Sequence, residues 1–174
     1  MLNIQGLFSP TAKQNNKVLL LLICLALATL TVAAFWSVKD CGFVNLDDGI
    51  YVYENDSVKS GLTAGSVRQA FSFKLTSVGH WHPLTWLSLM LDHSLFGLNP
   101  SGYHLVNLLF HVINTLLLFL VLYRMPKEIW PCAFVACLFA VHPLHVESVA
   151  WVTDRKDVLS AFFWMLTLGA YSYY

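Results

Sequence analysis

An all-α, polytopic transmembrane protein is the fold class that the sequence predicts. Hydrophobic residues make up 57% of the 174-residue chain, charged residues make up only 11%, and the mean hydropathy is +0.60. Soluble domains usually carry about a quarter charged residues. Two apolar segments, 18–36 and 103–123, approach the roughly 20 residues that a helix needs to cross a bilayer. We expect about four spans and a long outer loop with interfacial helices.

Charge and cysteine content narrow the function classes. Ten basic and ten acidic residues cancel, so the chain lacks the basic field that captures nucleic acid. Three of the four cysteines lie inside apolar segments, which makes a disulfide framework improbable. The lipid bilayer is therefore the expected partner, and nucleic acid is not.

The spans divide the chain into eight segments. The third apolar run begins at Ile129 but stops at Val141, which covers only about 20 Å of a core about 30 Å thick. The predicted order is a cytoplasmic N-terminus (1–17), first span (18–36), outer loop (37–102), second span (103–123), cytoplasmic turn (124–128), third span (129–148), outer loop (149–156) and fourth span (157–174). The last segment ends without a stop signal, so we expect a truncated, N-terminal fragment.

The first apolar segment has a second interpretation. A basic start at Lys13 and Lys17 and small residues near Ala33 and Ala34 also occur in secretory signal peptides. The apolar core of such a peptide is normally only about 7 to 15 residues long. We therefore favour an uncleaved anchor.

Basic residues near the spans predict the orientation. They are Lys13, Lys17, Arg124 and Lys127 on one side, and Lys39, Arg155 and Lys156 on the other. Because basic residues favour the cytoplasm, the N-terminus is expected there and the two longer loops outside.

Two helices are predicted in the outer loop. From Pro83 onward, leucines recur at helical spacing, which indicates a helix lying along the membrane surface. These residues are Leu84, Leu87, Leu91 and Leu95. The stretch 63–73 predicts a shorter helix, with Thr63 as its N-cap.

The second span carries a polar stripe formed by His104, Asn107, His111 and Asn114. Their spacing of three, four and three residues places them on one helical face. They are either hydrogen-bonding contacts between helices or the wall of a polar cavity. For Asn114 we favour the helix contact.

The segment from His142 to Asp157 allows three interpretations. His142, His145 and Glu147 could hold a metal, although their spacing matches no standard zinc signature. Alternatively, Pro143 shapes a helix end and Asp157 caps the fourth span. In the third interpretation Arg155, with Lys156, binds an anionic headgroup or phosphate.

Aromatic and acidic residues of the outer loop are further candidates. His80, Trp81, His82 and Trp86 either settle at the membrane interface or stack against a carbohydrate. Asp47 and Asp48 lie among apolar residues. Asp48 with Gly49 can form a turn, and adjacent aspartates on an extended segment would point to opposite faces. A partly desolvated carboxylate there would have a raised pKa and could act as a general base.

Three motifs follow one another along the chain, and their order carries a resemblance to a known family. They are FVNLDDGIYVYEND, then HWHPLTWLSLMLDHSLFGLNPSGYHLVNLLFH, then FAVHPLHVESVAWVTDRKDVLSAFF. Together they resemble the N-terminal part of membrane O-mannosyltransferase-like proteins with tetratricopeptide repeats, in the C-type glycosyltransferase superfamily. The resemblance covers residues 40–174.

The resemblance implies an enzyme that moves a sugar, with mannose expected, from a polyprenyl phosphate to Ser or Thr hydroxyls of an acceptor protein at the outer face. Asp47 and Asp48 would be catalytic, and Arg155, with Lys156, would bind the donor phosphate. The remaining motif residues have no assigned role: His80, His82, His142, His145, Glu147 and Asp157. No metal and no cofactor besides the lipid-linked sugar are implied.

The membrane would be the bacterial inner membrane or the endoplasmic reticulum, according to the source. Because further spans and the repeats are missing, the fragment by itself should be inactive. The rival hypothesis is a non-catalytic anchor that displays a repeat domain for protein assembly.

Overall fold

A computed structural model of the protein describes residues 10–72 and 80–173, with side chains described from Asn16 onward. The described chain is helical and contains no β-strand, which confirms the all-α class. Most of the predicted N-terminal segment 1–17 lies outside the residues with described side chains. Phe73, the expected end of the short helix after Thr63, also lies outside the described part.

Two helices are long and apolar enough to cross a membrane. Helix α1 runs over Pro10–Phe35 and continues as a 3₁₀ turn over Trp36–Asp40, and helix α5 runs over Pro100–Arg124. Within the described residues, only the stretches Asn16–Asp40 and Pro100–Arg124 meet this test. Helices α6 (Ile129–Val141) and α8 (Arg155–Tyr171) are shorter, so the prediction of four spans is not confirmed.

Helix α5 lies at the centre of the bundle and packs against α1, α6 and α8. Its N-terminus is well defined by the sequence. Pro100 occupies the first turn, and the side-chain oxygen of the N-cap residue Asn99 accepts from the Ser101 N–H at 3.2 Å. One apolar core joins α5 to α1 and α6; its buried members are Leu27, Phe119, Cys132 and Ala136. The central position of α5 explains why its polar stripe is enclosed.

The predicted third span is not one continuous helix. Helix α6 covers Ile129–Val141, and a separate short helix, α7, covers His145–Ala150. Pro143 lies between them and has no N–H with which to continue the helix. The 13 residues of α6 match the length of the uninterrupted apolar run.

Helix α8 covers Arg155–Tyr171 and follows a short 3₁₀ turn over Val152–Asp154. The residue at its N-cap is Asp154, so the prediction that Asp157 caps this helix is wrong. Asp157 lies within the first turn instead, where a carboxylate still interacts favourably with the helix dipole.

The described part of the outer loop contains three α-helices. They are α2 over Asp56–Lys59, α3 over Ala64–Ala70 and α4 over Pro83–Phe96. The predicted cap at Thr63 is confirmed: its hydroxyl accepts from the Ser66 N–H at 3.1 Å, and the Ser66 hydroxyl accepts from the Thr63 N–H at 2.9 Å. A short helix therefore begins where the sequence predicts.

Helix α4 has one face inside the protein and one outside. Trp86, Leu89 and Met90 are completely buried in an apolar core that also includes Tyr51, whereas Leu84, Leu91 and Leu95 are exposed. The exposed leucines are three of the four that predicted this helix. An apolar outer face suits a helix that lies on a membrane, as the sequence predicts.

Candidate active site

The acid loop, residues 43–53, is not extended at the two acids: residues 45–47 form a turn and residues 48–53 are helical. Asp48 has φ −60° and ψ −27°, and Gly49–Tyr53 follow as a wide helical turn. The extended conformation considered from the sequence is therefore wrong. The two acids nevertheless occupy different environments: Asp48 is completely buried and Asp47 is half-buried. Only Asp47 is accessible to a reactant in this arrangement.

Asp48 fastens the acid loop to the turn before α8. Its Oδ1 accepts from the Thr153 N–H at 3.1 Å and from the Thr153 hydroxyl at 2.6 Å. Its Oδ2 accepts from the Val44 N–H at 2.8 Å. The two loops that the sequence places on the same side are therefore in direct contact, although Asp48 and Thr153 are 105 positions apart.

Arg155 is held inside the protein by four groups. Its Nη2 lies 2.6 Å from Asp92 Oδ2 and donates to the Tyr103 carbonyl oxygen at 2.9 Å, and its Nη1 donates to Ser88 Oγ at 2.6 Å. Its Nε donates to Asn107 Oδ1. Arg155 and Asp92 are almost fully enclosed, with exposed side-chain fractions of 0% and 2%. The guanidinium is thus occupied by the protein itself, and it fixes the start of α8 against α4 and α5.

Lys156, the next residue, points to a different place. Its side chain is 43% exposed and its ammonium group forms an ion pair with Asp154. An ammonium group has three N–H donors, so this pair leaves donors for a ligand. Of the two cations predicted to bind phosphate, Lys156 is the accessible one.

His82 lies in a stack of aromatic rings beside Lys156. Its ring is nearly parallel to those of Tyr51 and Trp86, at centroid distances of 5.5 and 5.4 Å. Burial lowers the pKa of His82, and the positive charges of His80 and Lys156 lower it further. Both effects favour the neutral imidazole. Its Nε2 is buried and has no hydrogen-bond partner.

Tyr51 links this stack to the acid loop. Burial raises the pKa of Tyr51, Lys156 acts in the opposite direction, and the charges of Asp47 and Asp154 raise it further. Asp47, Asp154 and Lys156 are therefore all within electrostatic reach of one phenol. The accessible acid and the accessible cation both act on Tyr51.

An open groove of about 480 Å³ begins at Lys156 and His82. Its other lining residues are mostly apolar and include Phe71, Trp81, Leu159 and Phe163. The groove therefore combines the cationic Lys156 with a mostly apolar wall. This amphipathic shape is typical of a site for a lipid with an anionic head.

The remaining predicted residues lie apart from the groove. His142 and Glu147 are exposed, and the His142 Nδ1 accepts from the Leu144 N–H at 3.3 Å. His145 and Asp157 line a second, smaller cleft together with Ser148, whose hydroxyl donates to Asp157 Oδ2 at 3.4 Å. His80 lies near His82, with ring centroids 6.4 Å apart. Across residues 10–72 and 80–173, no group of three His, Cys, Asp or Glu side chains is placed to hold a metal ion.

The polar stripe of α5 is buried and connects helices. Asn107 donates to the Trp151 carbonyl at 2.9 Å, and Asn114 donates to the Val158 carbonyl at 2.9 Å. The ring nitrogens of His104 and His111 lie 3.4 and 3.2 Å from the carbonyl oxygens of Gly42 and Ala140. The helix-contact interpretation is confirmed for His111 and Asn114, whereas the His104 and Asn107 partners, Gly42 and Trp151, lie outside the helices. His111 and Asn114 also line the second cleft, so both interpretations apply to them.

Three residues of the site escaped the sequence analysis: Ser88, Asp92 and Thr153. Asp92 carried a signal, since an acid inside an otherwise apolar helix requires a cation nearby. Ser88 lies one turn before it on the same face. Thr153 carried no such signal.

Named proteins share sequence with this chain. The protein O-mannosyl-transferase Tmtc2 of Drosophila melanogaster is 32% identical over 154 residues, which are 85% of this chain and 16% of that protein. The protein O-mannosyl-transferase TMTC3 of Mus musculus is 30% identical over 152 residues. These residues are 84% of this chain and 16% of the length of that protein. The protein O-mannosyl-transferase Tmtc1 of Drosophila melanogaster is 39% identical over 95 residues. These residues are 55% of this chain and 11% of the length of that protein.

These matches bear directly on the resemblance noted in the sequence. The chain spans only about a sixth of the length of the longer-matching relatives. No protein-family model matches the chain, and no solved structure matches it. The named relatives are glycosyltransferases, which confirms the resemblance. The chain is therefore a homologue of the TMTC protein O-mannosyl-transferases and corresponds to a part of their length.

Proposed function

We propose that the complete protein is a multi-pass membrane enzyme that transfers a sugar, with mannose as the expected one, from a polyprenyl-phosphate donor to Ser or Thr hydroxyls of an acceptor protein. The groove beside Lys156 is the observation that carries this proposal, because it joins an apolar wall to a cationic end. A polyprenyl chain fits the wall and a phosphate fits the cation. The homologues are named protein O-mannosyl-transferases, which supports mannose as the transferred sugar.

The chemistry requires one base and one stabilised leaving group. The acceptor hydroxyl oxygen attacks the anomeric carbon and forms a new C–O bond, while its proton passes to a carboxylate. The bond between the anomeric carbon and the phosphate oxygen breaks, and its electron pair leaves with the lipid phosphate. Attack from the opposite face inverts the anomeric carbon. Cations and N–H donors aimed at the phosphate lower the barrier.

We assign the base to Asp47 and a positioning role to Asp48. Asp47 is half-buried, whereas both carboxylate oxygens of Asp48 already accept hydrogen bonds from Val44 and Thr153. In this proposal Asp48 holds the loop so that Asp47 faces the reacting hydroxyl.

The phosphate would lie against Lys156 and His82. Lys156 supplies a positive charge to the groove, and the His82 ring lines the groove as well. Arg155 acts behind them: its bonds to Asp92, Ser88 and Asn107 fix the first turn of α8 and hence Lys156. In this proposal Lys156 is the direct phosphate ligand and Arg155 supports it.

The test measures transfer of labelled mannose from polyprenyl-phosphate mannose by the complete protein in membranes. Asp47→Asn should lower kcat by about 10²-fold or more, the range attributed to a general base, with thermal unfolding unchanged. Asp48→Asn should lower both activity and the unfolding temperature. Lys156→Met should mainly raise KM for the donor.

Two exposed residues of the same outer loop provide matched controls. Glu54→Gln removes an acid and Lys59→Met removes a cation outside the groove, and both variants should transfer sugar at the wild-type rate. Wild-type transfer by Asp47→Asn would overturn the assignment of the base. If the wild-type protein transfers no sugar, the rival function of a non-catalytic anchor for a tetratricopeptide-repeat domain is favoured.

A further inference from the structure

A second cleft lies on the opposite side of the first turn of α8. It has a volume of about 170 Å³ and lies between α5, α6, α7 and α8. Its polar and aromatic lining consists of His111, Asn114, Phe139, His145, Ser148 and Asp157. None of the roles assigned to sugar transfer uses this cleft.

Asn114 brings an unsatisfied acceptor to the cleft. The residue is 1% exposed, and its Nδ2 donates to the Val158 carbonyl at 2.9 Å, while its Oδ1 has no partner. Rotating the amide would set Oδ1 against that carbonyl oxygen, so the bond to Val158 fixes the orientation. A buried acceptor without a donor costs about 1–3 kcal/mol. The cleft therefore favours an occupant with a hydrogen-bond donor.

The other polar groups also favour a donor. Asp157 is exposed at the mouth of the cleft and presents a carboxylate, which only accepts hydrogen bonds when ionised. The Ser148 hydroxyl donates to that carboxylate and keeps its lone pairs free to accept. One wall carries the Phe139 ring, which packs on His145 at a centroid distance of 4.4 Å.

Size and shape narrow the class of ligand. One water molecule occupies about 30 Å³ in the liquid, and a cavity of about 150 Å³ accommodates a six-membered ring. A metal ion is disfavoured, because the described residues provide no group of three suitable ligands. A saturated six-membered ring with several hydroxyls matches both the aromatic wall and the acceptors.

We propose that this cleft is a binding site for a pyranose-sized polyol. The ring lies against Phe139, and its hydroxyls donate to Asn114 Oδ1 and to the Asp157 carboxylate. This site is separate from the proposed donor groove and requires neither a lipid phosphate nor transfer. It would let the protein hold a carbohydrate, such as a glycan on a bound chain, without changing it.

The experiment measures binding of methyl α-D-mannopyranoside to the complete protein in detergent by saturation-transfer NMR, without any donor lipid. Methoxycyclohexane, which has a similar ring but no hydroxyls, serves as the matched ligand. A site built to bond hydroxyls discriminates strongly against a ligand that lacks them. We expect saturable binding of the glycoside and at least tenfold weaker binding of methoxycyclohexane.

Variants then locate the site. Asn114→Leu and the cleft-filling Ala161→Phe should each weaken glycoside binding at least tenfold; Ala161 also lines the cleft. Ser148→Ala, at the partly exposed mouth, keeps the proposal testable if Asn114→Leu fails to fold, and it should weaken binding severalfold. Ser60→Ala, at an exposed position that lines neither the groove nor the cleft, should leave glycoside affinity unchanged.

Three outcomes would overturn the proposal: no glycoside binding by the wild-type protein, equal binding of methoxycyclohexane, or unchanged affinity in Ala161→Phe. The first outcome would also follow if another helix of the complete protein fills the cleft. Because no donor is present, none of these results depends on whether the protein transfers sugar.

Discussion

Replacing Asp92 with leucine leaves the Arg155 guanidinium without its carboxylate partner in the interior of the protein. The two groups lie 2.6 Å apart, and 2% and 0% of their side-chain surfaces are exposed, so water cannot replace the lost partner. Breaking a buried ion pair by removing one member costs about 3–5 kcal/mol. Arg155→Leu likewise leaves the Asp92 carboxylate buried without its guanidinium partner. We expect each single variant to lose that much of the free energy of unfolding.

The double variant Asp92→Leu/Arg155→Leu separates the two contributions. It leaves no buried charge, but three acceptors lose the Arg155 donor: Asn107 Oδ1, Ser88 Oγ and the Tyr103 carbonyl oxygen. Ser88 is partly exposed and the Tyr103 carbonyl lies within α5, so the main remaining cost is the buried Asn107 Oδ1. One unsatisfied buried acceptor costs about 1–3 kcal/mol. The double variant should therefore lose about 1–3 kcal/mol, whereas independent effects would add to about 6–10 kcal/mol.

Equilibrium unfolding of the complete protein in detergent, followed by helical circular dichroism, measures this difference. Asp56→Leu is the control, because it breaks the exposed ion pair between Asp56 and Lys59 and should not shift the unfolding midpoint measurably. Additive losses in the double variant, or single variants as stable as the wild type, would refute the reasoning.

Two further substitutions test local features. In Gly102→Ala the new Cβ would lie 2.3 Å from the Phe96 ring, so we expect a loss of about 1–3 kcal/mol in the free energy of unfolding. In Gly42→Ala the new Cβ meets nothing within 4 Å, so this variant should be neutral in the same equilibrium unfolding assay. His82 has a lowered pKa in the folded protein, so the unfolded chain binds more protons as the pH falls below about 6.5, and the folded state loses stability there. His82→Gln should lose less stability than the wild type between pH 7 and pH 5; equal losses would contradict the lowered pKa.

Local signals made part of this fold predictable. Thr63 caps a helix because its hydroxyl satisfies a free N–H of the first turn, and that interaction involves only neighbours in sequence. The apolar run that stops at Val141 marked the end of α6, although the predicted third span continued to residue 148. The stripe on α5 was visible because helical spacing alone places its members on one face.

Features that depend on distant partners were not predictable in the same way. The sequence indicated Arg155 as a phosphate ligand, but its position inside the protein follows from Asp92 on α4 and Asn107 on α5. The position of the Asp48 side chain likewise depends on Thr153, which donates to it from another loop. A single sequence carries no record of such pairings.

The bond between Asp48 and Thr153 also sets an order of events during synthesis. Because 105 positions separate the two residues, the acid loop lacks this anchor until the start of α8 has been made. At about 5–20 residues per second, that interval lasts about 5 to 20 seconds. The acidic pair therefore reaches its final geometry only after α5, α6 and α7 have been synthesised, so the candidate active centre matures late.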